Sequence, residues 1–190
     1  MVAAVSVFAG ASLTSAQQPV DWTSPTSVVQ HSIEAGQRLD FKAFVSYVHP
    51  AELDAFKAIL WDVLEQAAAK DTLGAADEWM NALGLHVENG ALVDVPSDSF
   101  MVHFMTFVTT ANPTLAELMK TSTFEIIGQV AEGDSLIHVV TRVKASVGEM
   151  TSTQMDVETL RRYNDGWRLT LRGQMEGLAE EIAAQMRRGL

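Results

Sequence analysis

Apolar positions in this chain recur at steps of three and four as far as about residue 121, and beyond it they alternate with polar ones. The first spacing belongs to helices with one buried face, the second to strands covered on one side. Helices followed by strands predict an α+β domain. Ser24 and Pro25 form a cap-then-proline start for a first helix with Val28, Val29 and Ile33 on its inner face, and Gly36 is expected to end it. A short second helix from about Asp40 presents Phe41, Phe44, Val45 and Val48, and His49-Pro50 marks the break before a third. There Leu53, Phe56, Leu60, Val63, Leu64 and Ala67 make the strongest helical stripe in the chain. The run "DEWMNALGL" predicts a short helix ending near Gly84, and "VENGALVDVP" a brief extended segment. Ser97 is expected to cap a helix carrying Phe100, Phe104, Phe107 and Val108, and Asn112-Pro113 repeats the capping signal.

Four strands are predicted over 123–131, 135–147, 153–163 and 167–173. Turns at Glu132-Gly133-Asp134, at Gly148 and at Asp165-Gly166 make them an antiparallel meander. Alternation assigns Ile137, Val139, Val143, Ala145 and Val147 to the inner face of the second strand, Met155, Val157 and Thr159 to that of the third, and Trp167, Leu169 and Leu171 to that of the fourth. His138, Arg142, Lys144, Asp156, Glu158 and Arg162 then fall on a wet outer face. An amphipathic helix holding Leu178 and Ile182 closes the chain. The resulting plan is a leader over 1–16 and a single α+β domain over 17–190, with helices in 24–120, the meander in 122–173 and a last helix in 174–188.

Composition changes the picture in three ways. At 190 residues with 47% apolar content, the chain buries a core without needing a metal or a disulfide. Zero cysteines exclude disulfide frameworks, thiolate metal sites and cysteine nucleophiles. The net charge of -11 argues against a nucleic-acid backbone or an anionic membrane surface as partner. That charge is uneven, since residues 17–120 hold 14 acidic and 5 basic residues. At the start, residues 2–13 are uncharged and apolar or small, and "TSAQQP" follows, which reads as a secretory signal peptide cleaved near Ala16. The alternative is a packed N-terminal segment. About 12 apolar residues are too few for a membrane span, so no stable membrane insertion is expected and the mature chain is expected to be secreted or periplasmic.

The run "SPTSVVQHSIEAGQRLDFKAFVSYVHP" (24–50), with its Asp-Phe after the first helix and its terminal His-Pro, together with the meander at 122–173, resembles nuclear-transport-factor-2-like (SnoaL-like) cone-fold domains. The resemblance implies a cone fold, with helices across a curved sheet and a pocket between them. Residues 51–95 depart from it as an enlarged helical insertion. The family holds isomerases, dehydratases and hydrolases of apolar substrates as well as non-catalytic binding and association domains, so fold does not decide function. Catalysis in such a pocket needs a carboxylate or a histidine facing the apolar cavity. The inner face read above offers none, which favours a binding domain.

The candidate pocket is Phe100, His103, Phe104, Phe107, Val139, Met155, Val157 and Trp167. His103 lies between Phe100 and Phe107 on the helical stripe and is the one candidate base, with a hydrogen-bonded structural histidine as the commoner use of such a residue. Asp156 and His138 are a further candidate acid/base pair across neighbouring strands. Histidines 31, 49, 86, 103 and 138 lack the four-residue helical pairing of a metal site, and His49 reads as a helix-boundary residue. No phosphate loop or nucleophile elbow is present. The sequence therefore predicts an exported cone-fold domain that binds a small apolar molecule or a protein partner, with no metal or cofactor and a homodimer through the sheet. The alternative is a small enzyme acting on an apolar substrate.

Overall fold

The computed structural model describes residues 19–69, 80–81, 83–88, 91–147, 150–164, 166–171, 177 and 179–184. The expected leader, the turn at Gly148, most of the short helix before Gly84, and Leu178 lie outside these residues. Helix α1 runs Pro25–Gln37, with the Ser24 side chain accepting from the Ser27 backbone N–H at its start. It does not stop at Gly36. Leu39 N–H donates to Gly36 O and Asp40 N–H to Ala35 O, with Leu39 itself at φ 54°, so a leucine holds the left-handed position usually given to glycine. Asp40 then caps α2 (Phe41–Ser46) through its carboxylate, which accepts from Ala43 N–H at 3.1 Å.

After α2, residues 47–49 run parallel to the last strand, with Val48 bridged to Leu169. Leu169 N–H donates to Tyr47 O, and His49 N–H donates to Leu169 O. Helix α3 (Pro50–Ala69) follows, then a two-stranded hairpin of β1 (Val87–Glu88) and β2 (Ala91–Leu92). Helix α4 (Ser97–Ala111) begins without a side-chain cap, because Pro96 holds the cap position and Ser97, expected there, is its first residue, with its hydroxyl donating to Asp54 Oδ1 at 2.6 Å. Asn112 does cap α5 (Pro113–Thr121), accepting from Leu115 N–H at 3.1 Å.

The meander comprises β3 (Thr123–Glu132), β4 (Leu136–Val147), β5 (Met150–Tyr163) and β6 (Gly166–Leu169), all antiparallel in the order of the chain. A β-bulge between Ile126 and Gly128 adds twist to β3. Gly166 pairs with Tyr163 and so belongs to the strand and not to the turn expected at Asp165-Gly166, with Asn164 at φ 51°; Asp165 lies outside the described residues. The α+β class and its helices-then-meander order are thus as the periodicity predicts.

Two apolar cores hold the layers together. One lies between α1 and the sheet and contains Val28, Val29, Tyr47, Val139, Leu160 and Trp167. The other lies among α2, α3, α4, the 80–85 segment and helical residues 179–184, with Phe56, Leu60, Phe100 and Phe104 at its centre. Phe56 meets Phe104 edge to face at 4.8 Å between centroids, a geometry that adds to simple burial. The described parts of 51–95 therefore share a core with α2, α4 and residues 179–184. Phe44 packs against both cores. Among the described residues, no helix is long and apolar enough to cross a membrane.

Candidate functional site

The register of β4 against β5 decides which side chains face the helices. Val139, fully buried under α1, is paired with Glu158, and buried Thr141 with Asp156. Directly paired residues in a ladder share a face, so both carboxylates point toward the helices. Met155 and Val157, expected inside, are 54% and 53% exposed on the other face. Sequence alternation alone fixed the two faces of β5 but labelled them the wrong way round. The apolar residues of this strand are the outward ones, and the expectation that no carboxylate faces inward is overturned.

Asp156 and Glu158 border a cavity of about 300 Å³ at the seam of the two cores. Its walls are Ser32, Ile33, Gly36 and Gln37 of α1, Phe44 of α2, Met119 of α5, Phe124 of β3, and Leu169 to Leu171 at the end of the meander. A Cβ at Gly36 would meet Met119 Cε at 3.7 Å, an ordinary contact, so a larger side chain at this lining position would extend into the space. Asp156 accepts from the Val157 N–H at 2.8 Å. Glu158 has no hydrogen bond or ion pair among the described residues. Burial first, and the nearby Asp156 charge second, push its carboxyl above the usual range. Thr141, on the same face and 1% exposed, carries a buried hydroxyl without a partner among the described residues. An orphaned buried hydroxyl costs about 1–3 kcal/mol, so this face has hydrogen-bonding capacity left over.

The other expected pocket residues are elsewhere. Val157 alone among them borders the cavity. Phe100 and Phe104 are sealed in the helical core, and Val139 and Trp167 in the core under α1. Phe107 is partly buried on α4. His103 is exposed, and its Nδ1 donates to Leu83 O at 2.7 Å while its ring sits against Gly84, which has φ 66°. It fastens the loop at 83–84 and does not face the cavity. His138 and Asp156 lie on opposite faces of the sheet. On the outer face, His138 meets Thr159 Oγ1 at 3.0 Å and Glu132 Oε2 at 2.7 Å. His49 is a boundary residue just before α3, and burial lowers its pKa, with Arg161 adding to the effect. Among the described residues, no group of three His, Asp or Glu side chains is placed to hold a metal ion.

Glu52 of α3, a buried carboxylate outside the cavity, is structural. It accepts from Leu171 N–H at 3.3 Å and lies 3.6 Å from Arg161, so it ties α3 to the end of the meander.

No family model and no curated protein matches the chain. In structure it is similar to an NTF-2-like protein of unknown function from Shewanella oneidensis MR-1, at 14% identity over 76% of this chain and 90% of that one, with a TM-score of 0.40. The α+β assignment rests on the strand pairing and helix packing themselves.

Proposed function

We propose that this chain binds a small, largely apolar molecule in the cavity between its helices and the inner face of the sheet. The observation that carries the reading is the cavity itself: about 300 Å³, walled by Ile33, Phe44, Met119, Phe124 and Leu169, with two carboxylates at one side. Apolar walls with a few placed polar groups are the usual make-up of a small-molecule site. Native mass spectrometry of residues 17–190, gently purified from a secreting host, tests it. The expected result is extra mass that leaves on denaturation and is absent in Gly36→Phe, a variant that fills the space. A clean apo mass together with no binding of an apolar dye overturns the reading.

Catalysis is the second reading, and one observation favours it. A carboxyl held above its ordinary range in an apolar cavity is the property a general base requires at neutral pH. In that case Glu158→Gln keeps ligand binding and loses turnover of the molecule found by mass spectrometry; unchanged turnover rejects it.

The reading extends to export and self-association. Residues 2–13 support cleavage near Ala16, and N-terminal sequencing of the secreted protein is expected to begin near Gln17. The outer face of the sheet exposes Val130, Met155 and Val157 beside the Glu125–Arg142 and Glu132–His138 pairs. A patch with apolar residues and both charges can meet itself across a two-fold axis. Light scattering is expected to give a dimer that Met155→Glu converts to monomer; a wild-type monomer at high micromolar concentration rejects the homodimer.

A further inference from the structure

The cavity has a chemical polarity that an apolar ligand alone does not use. Its lining among the described residues contains two ionisable groups, Asp156 and Glu158, and both are acids. They stand two apart on one strand, so their Cα atoms are about 6.6 Å apart and their side chains leave the sheet in the same direction. Asp156 already accepts one backbone N–H, while Glu158 has no donor among the described residues. The rest of the wall is largely apolar, with Phe44 and Phe124 as its aromatic surfaces. The whole chain has net charge -11, a field that concentrates cations.

We propose that the ligand is an amine: an apolar body with a protonated nitrogen that lies between the Asp156 and Glu158 carboxylates. Three N–H donors are enough to serve both carboxylates at once. The cation relieves the repulsion between the two acids, and charge-assisted hydrogen bonds in a sheltered site are the strong ones. An alcohol of the same shape fills the apolar part and gains neither effect. A carboxylate is repelled.

This inference rests on the cavity being a ligand site, and the test separates the two claims. Isothermal titration at pH 7.5 and low salt compares 2-phenylethylamine, 2-phenylethanol and 3-phenylpropanoate on the mature chain and on Glu158→Gln. The amine is expected to bind at least about tenfold more tightly than the alcohol, which corresponds to about 1.4 kcal/mol, and the acid weakest. In Glu158→Gln, shown folded by circular dichroism, alcohol binding is expected to persist while most of the amine preference goes. Should that variant not fold, Asp156→Asn with the same probes carries the comparison. Equal or tighter binding of the alcohol, or an amine preference that survives in the variant, overturns the amine while leaving the cavity as a site. Binding by none of the three overturns both.

Discussion

Gly166 shows how much a single residue is constrained by the backbone opposite it. A Cβ there would lie 2.9 Å from the Trp22 carbonyl oxygen and 3.0 Å from Trp22 Cβ, and the backbone atom cannot swing aside. Gly166→Ala is therefore expected to cost about 1–3 kcal/mol in urea denaturation, the range of overpacking. The sequence marks this glycine as a turn residue, yet its necessity comes from a segment far away in the chain, which no local pattern reveals. Glu158 is the opposite case, a residue whose protonation the structure resists giving up. Because the folded state holds that proton more tightly than the unfolded chain, the stability linked to it is full at low pH. It is lost as pH rises from the ordinary glutamate range through the raised value. Glu158→Gln is expected to raise Tm near pH 7.5 and to leave it unchanged near pH 4, which thermal melts at the two pH values check. Reading Glu158 from sequence failed because Met155, Val157 and Thr159 make an equally good alternating set on the other face. Alternation sorts a strand into two faces, and only the register with β4 says which one the helices cover.

Element boundaries follow their caps. Asp40 and Asn112 each close a helix start with one carboxylate or amide oxygen, and replacing either by Ala is expected to cost about 1 kcal/mol in chemical denaturation. These caps were legible because Asp and Asn stand directly before a helical stripe, and in one case before proline. The end of α1 was not, since Gly36 sits inside the helix facing the cavity and Leu39 takes the left-handed turn. Helix α4 contributes most through its aromatic stripe. Phe104→Ala is expected to cost about 3–5 kcal/mol, because the ring is fully buried against Phe56. Periodicity marks that stripe as apolar and the structure seals Phe100 and Phe104 in the helical core rather than in a pocket, because periodicity reports which face is buried and not what it is buried against.

At the scale of the whole molecule, the plan of helices followed by a meander was legible because both periods are long and sustained, whereas the cavity arises where two cores meet and has no signature in any one segment. The junction of chain beginning and chain end is a feature of the same kind. Trp167 N–H donates to Trp22 O at 2.9 Å, the Arg168 guanidinium stacks 3.8 Å over the Trp22 ring, and residues 47–49 lie along β6. The first described residues are thus seated by the last strand, across nearly the full length of the chain. Contacts of such large sequence separation slow folding, since the loop between them must be ordered before they form. The core under α1 is complete only once Trp167 and Leu169 have been synthesised. A growing chain therefore lacks part of the cover of Val28 and Val29 until late in its synthesis, and a copy ending before Gly166 would lose the Trp167 and Leu169 share of that core.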